Sequence, residues 1–247
     1  MFDYQAPSQL LKGKTIMVTG AGDGIGKAAA LTYAEHGATV ILLGRTTKKL
    51  EAVYDAIEAK GYPQAAIVPL NLDGASEHEY RELANTLTSE FDQLDGVLHN
   101  ASLLGERCDL QHYDIRLFEQ VMRVNVTSQL ALTQALMPLL KKSPAASIIF
   151  TSSGVGRTAK AKWGAYAISK FATEAMMQLF ANELAESQPN IRANAINPGA
   201  TKTAMRAAAY PNEDPNSLPS ATDIMPLYLY LMGKDSLTIN GQSLNAQ

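Results

Sequence analysis

The chain contains a single cysteine, Cys108, among 247 residues. One thiol rules out an internal disulfide, and such sparing use suits a reducing compartment. Long apolar runs are missing too. The richest stretch, residues 130–140, contains Thr133, Gln134 and Pro138 and falls short of the roughly 18 residues of a membrane span. Neither sign of charge dominates: 21 Lys and Arg stand against 24 Asp and Glu, a net charge of −3. That balance lacks the basic excess with which proteins engage nucleic acid. The opening residues Met1-Phe2-Asp3-Tyr4-Gln5-Ala6-Pro7 carry an early acid and no apolar stretch, unlike a secretory signal. Repeats, low-complexity tracts and composition breaks are absent as well. What remains is an ordinary globular composition, 46% hydrophobic and 18% charged, expected in the cytoplasm with neither membrane nor nucleic acid as partner.

Short apolar runs rich in Ile and Val recur at 15–18, 39–43, 65–68, 97–98, 147–150 and 191–196, and a last short strand is expected within 237–244. Continuous rather than alternating apolar residues predict strands buried on both faces, as in a parallel sheet. Helical stretches fall between them, at about 25–36, 46–60, 75–91, 112–142, 163–187 and 222–232. This alternation predicts an α/β fold of the Rossmann type: a doubly wound parallel sheet with right-handed crossovers, in one domain over 1–247. The Pro-rich stretch from Tyr210 to Pro219 lies in a segment, 203–220, that reads as a loop over a site.

The first strand runs into Thr19-Gly20-Ala21-Gly22-Asp23-Gly24-Ile25-Gly26. Glycines here let the backbone turn sharply and approach a pyrophosphate at the positive end of a helix. No G-x-G-x-x-G register fits; Gly20, Gly24 and Gly26 form G-x-x-x-G-x-G instead. A tight turn without ligand has the same glycines, so the loop points to nucleotide binding only together with its place after strand one. Farther on, Tyr166 and Lys170 stand four residues apart on a predicted helix, hence on one face. A free phenol titrates near about 10, and a neighbouring cation would lower it toward the range useful in acid–base work. A solvated helix face would show the same pair.

Together these features resemble the short-chain dehydrogenase/reductase family along nearly the whole chain. Thr19-Gly20-x-x-x-Gly24-x-Gly26 is similar to its cofactor motif. Asn100-Ala101 resembles its Asn-Asn-Ala-Gly element, and Tyr166-x-x-x-Lys170 its catalytic pair. Ser153 falls 13 positions before Tyr166, as 166 − 153 gives, which favours it over Ser152 as the family's serine. Asn125 matches the asparagine of the tetrad, and Pro198-Gly199 with Thr201 and Thr203 resembles the nicotinamide-side loop. The stretches 98–105 and 223–228 further resemble a bacterial branch, the YciK-like oxidoreductases. The resemblance implies an oxidoreductase that interconverts a small carbonyl and its alcohol. Ser153 would bond the carbonyl, Tyr166 would move the proton, Lys170 would hold the cofactor ribose and lower the Tyr166 pKa, and Asn125 would anchor a water. It further implies that Gly20, Gly22, Asp23, Gly24, Ile25, Gly26, Arg45, Asn71, Leu72, Asn100, Ala101, Ser102, Tyr166, Lys170, Pro198, Gly199, Thr201 and Thr203 bind the dinucleotide. Asn125 could instead bond a backbone carbonyl, and Ser153 could cap a turn. A homodimer or homotetramer, paired through the helices near 112–142 and 163–187, is implied as well.

Several positions depart from the family pattern. His99 and Ser102 replace the outer members of Asn-Asn-Ala-Gly, and Asn71 stands where an Asp is usual. Strand two ends in Gly44-Arg45-Thr46-Thr47 without the acid that accepts from the ribose hydroxyls of NAD. Arg45 can offer a fork of donors to a 2′-phosphate, so NADP(H) is favoured over NAD(H). Asp23 opposes this preference if its charge turns toward the ribose. His36, His78, His99 and His112 lie in separate elements; Cys108 and His112 could share a helix face, but a zinc site takes about four ligands, so no metal is expected. Arg157, Lys160 and Lys162 read as a solvated basic loop or as a seat for an anionic group. Met205, Tyr210 and Leu218, with Leu103, Leu104 and Trp163, could line an apolar pocket. A non-catalytic dinucleotide sensor is the rival reading, since a fold can outlast its chemistry; retention of both Tyr166 and Lys170 favours the enzyme. Epimerases and dehydratases with a larger C-terminal substrate domain fit less well.

Overall fold

A computed structural model describes residues 1–247. Strands β1 (Thr15–Thr19), β2 (Thr39–Gly44), β3 (Ala66–Pro69), β4 (Gly96–His99), β5 (Ala146–Thr151), β6 (Ile191–Asn197) and β7 (Ser243–Asn245) form one parallel sheet in the order β3-β2-β1-β4-β5-β6-β7. Helices α1 (Gly24–Glu35), α2 (Thr47–Glu58) and α8 (Met225–Met232) cover one face. The other face carries α3 (Glu77–Glu90), α5 (Ser128–Leu140) and α6 (Gly164–Ser187). Successive strand residues serve opposite layers: Ile16 and Val18 join the α1–α8 core, whereas Met17 joins the α5–α6 core. The period of two explains the sequence pattern, because with both faces covered most positions are apolar and the buried exceptions, such as Ser147, Arg192 and Asn194, are hydrogen-bonded. The strand order reverses between β1 and β4, which opens a crevice at their carboxyl ends.

Three segments differ from the sequence expectation. The single helix expected over 112–142 is instead α4 (Ile115–Met122), a π turn over Arg123–Thr127, and α5. The wider turn bonds Ser128 N to Arg123 O and leaves Val124 O to the Ser128 hydroxyl at 2.6 Å. The last strand is confined to β7. Ahead of it, side chains supplement two backbone bonds, Gly241 N to Ala193 O and Ala195 N to Gln242 O: Ala193 N donates to Asn240 Oδ1, Gln242 N to Asn194 Oδ1, and Asn194 Nδ2 to Ile239 O. The segment 203–220 is not bare loop but contains the short helix α7 (Ala204–Ala209), capped by Thr203, and a 3-10 turn at Pro215–Ser217.

His99 ends β4 inside the core. Its Nε2 lies 2.8 Å from Thr133 Oγ1 and its ring stacks on Phe150 at 5.0 Å. Burial pushes its pKa down to about 3, so the folded chain keeps it neutral. The unfolded chain protonates it below about 6.5, so between 6.5 and 3 the unfolded state binds the extra proton and stability falls as pH falls. The slope from this one group is about 1.4 kcal/mol per pH unit. Urea unfolding at pH 6.5 and 5 should show wild type losing about 2 kcal/mol more than His99→Asn. Equal losses would mean that His99 is not held neutral.

Candidate active site

The site grows from the end of β1. Thr19 Oγ1 accepts from Asn100 N at 2.9 Å and Ala101 N at 3.0 Å, tying β1 to the end of β4 across the crevice. Gly20 follows with φ +68°, and a Cβ there would meet Ala101 Cα at 3.0 Å. Only glycine makes this turn without strain. Gly26 sits beneath the turn, where a Cβ would overlap Gly20 O and Asn100 Nδ2. Asp23 caps α1 by accepting from Gly24 N at 2.8 Å, and its other oxygen accepts from Lys49 Nζ at 2.5 Å. The Lys49 bond holds its carboxyl below the usual value.

A cavity of about 510 Å³ runs along the carboxyl ends of the strands. At one end it is lined by Gly22, Asp23, Arg45, Thr46 and Lys49; Asn71 and Leu72 form a side wall; Gly20, Gly24, Ile25, Asn100, Ala101 and Ser102 form the floor. The opposite end carries Ser153, Tyr166, Lys170, Pro198, Gly199, Thr201 and Thr203. Beyond Tyr166 the lining turns apolar, with Leu103, Leu104, Trp163, Met205 and Ala209. Arg107 lies over the Trp163 ring at 4.7 Å and the Tyr210 ring at 5.0 Å and donates to Ala209 O, which pins α7 across this end. Arg206 is spent on a forked bond to Glu213, both contacts 2.6 Å.

At the end of β5 the two serines part. Ser152 is fully buried and donates to Glu174 Oε1 at 2.5 Å, while Ser153 faces the cavity. Tyr166 and Lys170 stand one turn apart on α6, both buried, with Lys170 Nζ 5.4 Å from the phenol ring centroid and donating to Thr151 O at 2.7 Å. Burial pushes the Tyr166 pKa up to about 12, against a smaller downward pull from the Ser153 hydroxyl. The same burial pushes Lys170 down to about 8, opposed by the carboxylate of Glu174. At neutral pH the phenol therefore holds its proton and the amine remains charged. The expected lowering of Tyr166 by Lys170 does not appear: loss of water around the phenol outweighs it.

This constellation can be compared with known proteins. The family described as short chain dehydrogenase matches residues 14–214. The chain is 50% identical over 244 residues to the Escherichia coli K12 oxidoreductase YciK, covering 99% of this chain and 96% of that one. The chain is a short-chain dehydrogenase. A short chain dehydrogenase structure from Pseudomonas syringae is 58% identical with TM-score 0.98, each chain covered in full. One from Shigella flexneri, complexed with NADP, is 50% identical with TM-score 0.95, covering 98% of this chain and 100% of that one.

Two of the positions expected at the site of this short-chain dehydrogenase do not line its cavity: Gly26 and Asn125. Gly26 shapes the turn from below. Asn125 is fully buried in the π turn; its Oδ1 accepts from Leu103 N at 2.7 Å, and its Nδ2 donates to Leu103 O and Ser169 Oγ, both at 2.9 Å. Its side chain is committed to protein partners and holds the loop after β4. Of the basic loop, Lys160 and Lys162 are exposed, whereas Arg157 is half-buried and bonds Glu174, Ser243, Leu244 and Asn245. Tyr210 and Leu218 lie outside the lining. Lys49, in the first turn of α2, was missed: it lines the cavity and pairs with Asp23 across the glycine turn. Glu174, four residues after Lys170, was missed in the same way. Asn125→Ala strips Leu103 N–H and C=O of their partners, so chemical denaturation should show a loss of about 2–4 kcal/mol. A loss below about 0.5 kcal/mol, ordinary for a surface change, would contradict this role.

Proposed function

We propose that this short-chain dehydrogenase is an NADP(H)-dependent oxidoreductase that interconverts a small-molecule carbonyl and its alcohol, with Tyr166 as the acid/base. The observation that carries the reading is the meeting of Ser153, Tyr166 and Lys170 on one cavity wall, at the end opposite Arg45 and Lys49. The cavity fits a dinucleotide on its own terms. The glycine turn leaves room for a diphosphate above α1, and Ser102 Oγ in the lining is buried without a hydrogen-bond partner. Gly20, Gly22, Gly24 and Ile25 would cradle the diphosphate, Asn71 and Leu72 the adenine side, and Pro198, Gly199, Thr201 and Thr203 the nicotinamide side. The bound cofactor supplies or accepts the hydride, chemistry that no side chain offers.

The protein's own groups then do the rest. Ser153 donates to the carbonyl oxygen and fixes its place. Tyr166, protonated at neutral pH, delivers the proton to that oxygen as it becomes an alkoxide, and takes it back in the reverse direction. Lys170 places a positive charge beside the phenol and donates toward the ribose. The apolar end formed by Leu103, Leu104, Trp163 and Met205 keeps water away from the reacting atoms. Tyr166→Phe should lower kcat by at least about 10²-fold with cofactor affinity nearly unchanged; near-normal turnover would remove Tyr166 from this role.

The cofactor preference rests on charge. No acid ends β2, and Arg45 is exposed beside Thr46 at the rim of the cavity. A 2′-phosphate carries about −1.5 to −2 charges, by analogy with other phosphate monoesters, and would meet both Arg45 and Lys49. The ion pair with Lys49 also answers the objection raised by Asp23, whose charge is already met. The NADP bound to the Shigella flexneri relative supports the same choice. Titration should show Arg45→Ala weakening NADPH by about 1.5–3 kcal/mol and leaving NADH almost untouched. Equal affinities in wild type for the two cofactors would overturn the preference.

The protein is further proposed to act in the cytoplasm as a homodimer or homotetramer. No helix is long and apolar enough to cross a membrane. Phe171 is 43% and Leu179 59% exposed on α6, so the apolar series Phe171, Ala175, Leu179 does not pack on its own sheet. Light scattering at micromolar concentration should report a multiple of 26.6 kDa; a particle of that mass alone would refute assembly.

A further inference from the structure

One charged side chain beneath the catalytic wall takes no part in the proposed chemistry. Glu174 is 7% exposed, one helical turn after Lys170 on α6. Its Oε1 accepts from Ser152 Oγ at 2.5 Å, Ser243 Oγ at 2.7 Å and Arg157 Nε at 3.2 Å. A carboxylate is not taken this far from water without partners, and three donors on one oxygen fix its position. Ser152 adjoins Ser153, so the same carboxylate grips the end of β5 and the turn that follows it. Lys170, beside it, is 1% exposed and donates to Thr151 O. An ammonium in such surroundings is driven toward the neutral amine unless a negative charge opposes the change. We propose that Glu174 is a positioning residue of this site: its clamped carboxylate keeps the buried Lys170 charged and directed at Thr151 and the space beside Tyr166.

The surroundings supply no competing anion. Tyr166 shares the helix with Lys170, Arg157 stands on the turn after β5, and Tyr228 of α8, whose buried hydroxyl has no hydrogen-bond partner, keeps its proton. His99 on β4 is neutral. β5 has no ionisable side chain, Arg192 on β6 is bonded to the carbonyls of Leu231 and Gly233, and Arg116, Glu119 and Arg123 of α4 and the π turn are exposed. Glu174 is the one carboxylate that raises the Lys170 pKa.

The proposal builds on the role given above to Lys170, yet its test needs no turnover. NMR of protein containing carbon-13-labelled lysine can follow the titration of Lys170 directly, with a midpoint near 8 expected in wild type. Glu174→Gln should lower the midpoint by about one pH unit. Glu174→Asp, which withdraws the charge by one methylene, should lower it less and serves alone if the glutamine variant does not fold. Mere loosening of the network admits water and moves the midpoint upward, so a midpoint unchanged or raised in either folded variant overturns the proposal. NADPH affinity followed against pH should fail earlier on the alkaline side in Glu174→Gln than in wild type; coincident curves also count against it. A protein that binds NADPH but reduces no carbonyl would refute the functional reading, and the Lys170 midpoints would still decide this one.

Discussion

Everything in this molecule depends on a sheet that is dry on both faces. Once α1, α2 and α8 close one side and α3, α5 and α6 the other, polar chemistry is confined to the strand ends. Parallel pairing brings all the carboxyl ends to one edge, and the reversal of order between β1 and β4 opens that edge into a crevice. Thr19 ties β1 to the loop after β4, its hydroxyl taking two backbone donors from Asn100 and Ala101. The glycine turn and the loop carrying Asn100 to Ser102 are thereby held as one surface. Asn125 performs a matching task from the opposite side, fastening Leu103 from within the π turn.

The same dryness sets the acid–base state of the wall formed by Ser153, Tyr166 and Lys170. Burial raises the phenol of Tyr166 to about 12 and lowers the amine of Lys170 to about 8, so two pKa values that ordinarily lie close together move apart. A protonated phenol beside a charged amine suits the proposed carbonyl reduction, since the proton must be present when the oxygen becomes basic. Desolvation rather than direct attraction between the two side chains is the larger influence. The buried charges are tolerable because none is alone: Lys170 has Thr151 O, and Glu174 has Ser152, Ser243 and Arg157.

Charge at the other end of the cavity follows a different rule, because it is wet. Asp23 and Lys49 are both more than half exposed, so their ion pair contributes little to stability. Its importance is local. It satisfies the start of α1, and it leaves Arg45 as the cation at the end of β2 with no acid beside it. The proposed preference for NADP(H) therefore rests on short-range electrostatics in this rim rather than on packing.

By itself the sequence determined the order of strands and helices, the parallel sheet, the glycine turn and the Tyr166–Lys170 pair. Each of these is encoded within a few residues: an apolar run of Ile and Val, a glycine spacing, an i, i+4 offset on one helix. The family membership followed from those motifs standing in order. Only the tertiary structure decided what depends on partners distant along the chain. Within the π turn that splits the helix expected over 112–142, Asn125 meets Leu103, 22 positions earlier. Arg157 looked solvated until β7, 86 positions later, folded against it. The pKa of Tyr166 was misjudged because its neighbour in sequence is a cation, whereas its neighbours in space are mostly not water. Local pattern specifies backbone geometry, which forms over a few residues; desolvation and long-range hydrogen bonds belong to the assembled core and have no short-range signature.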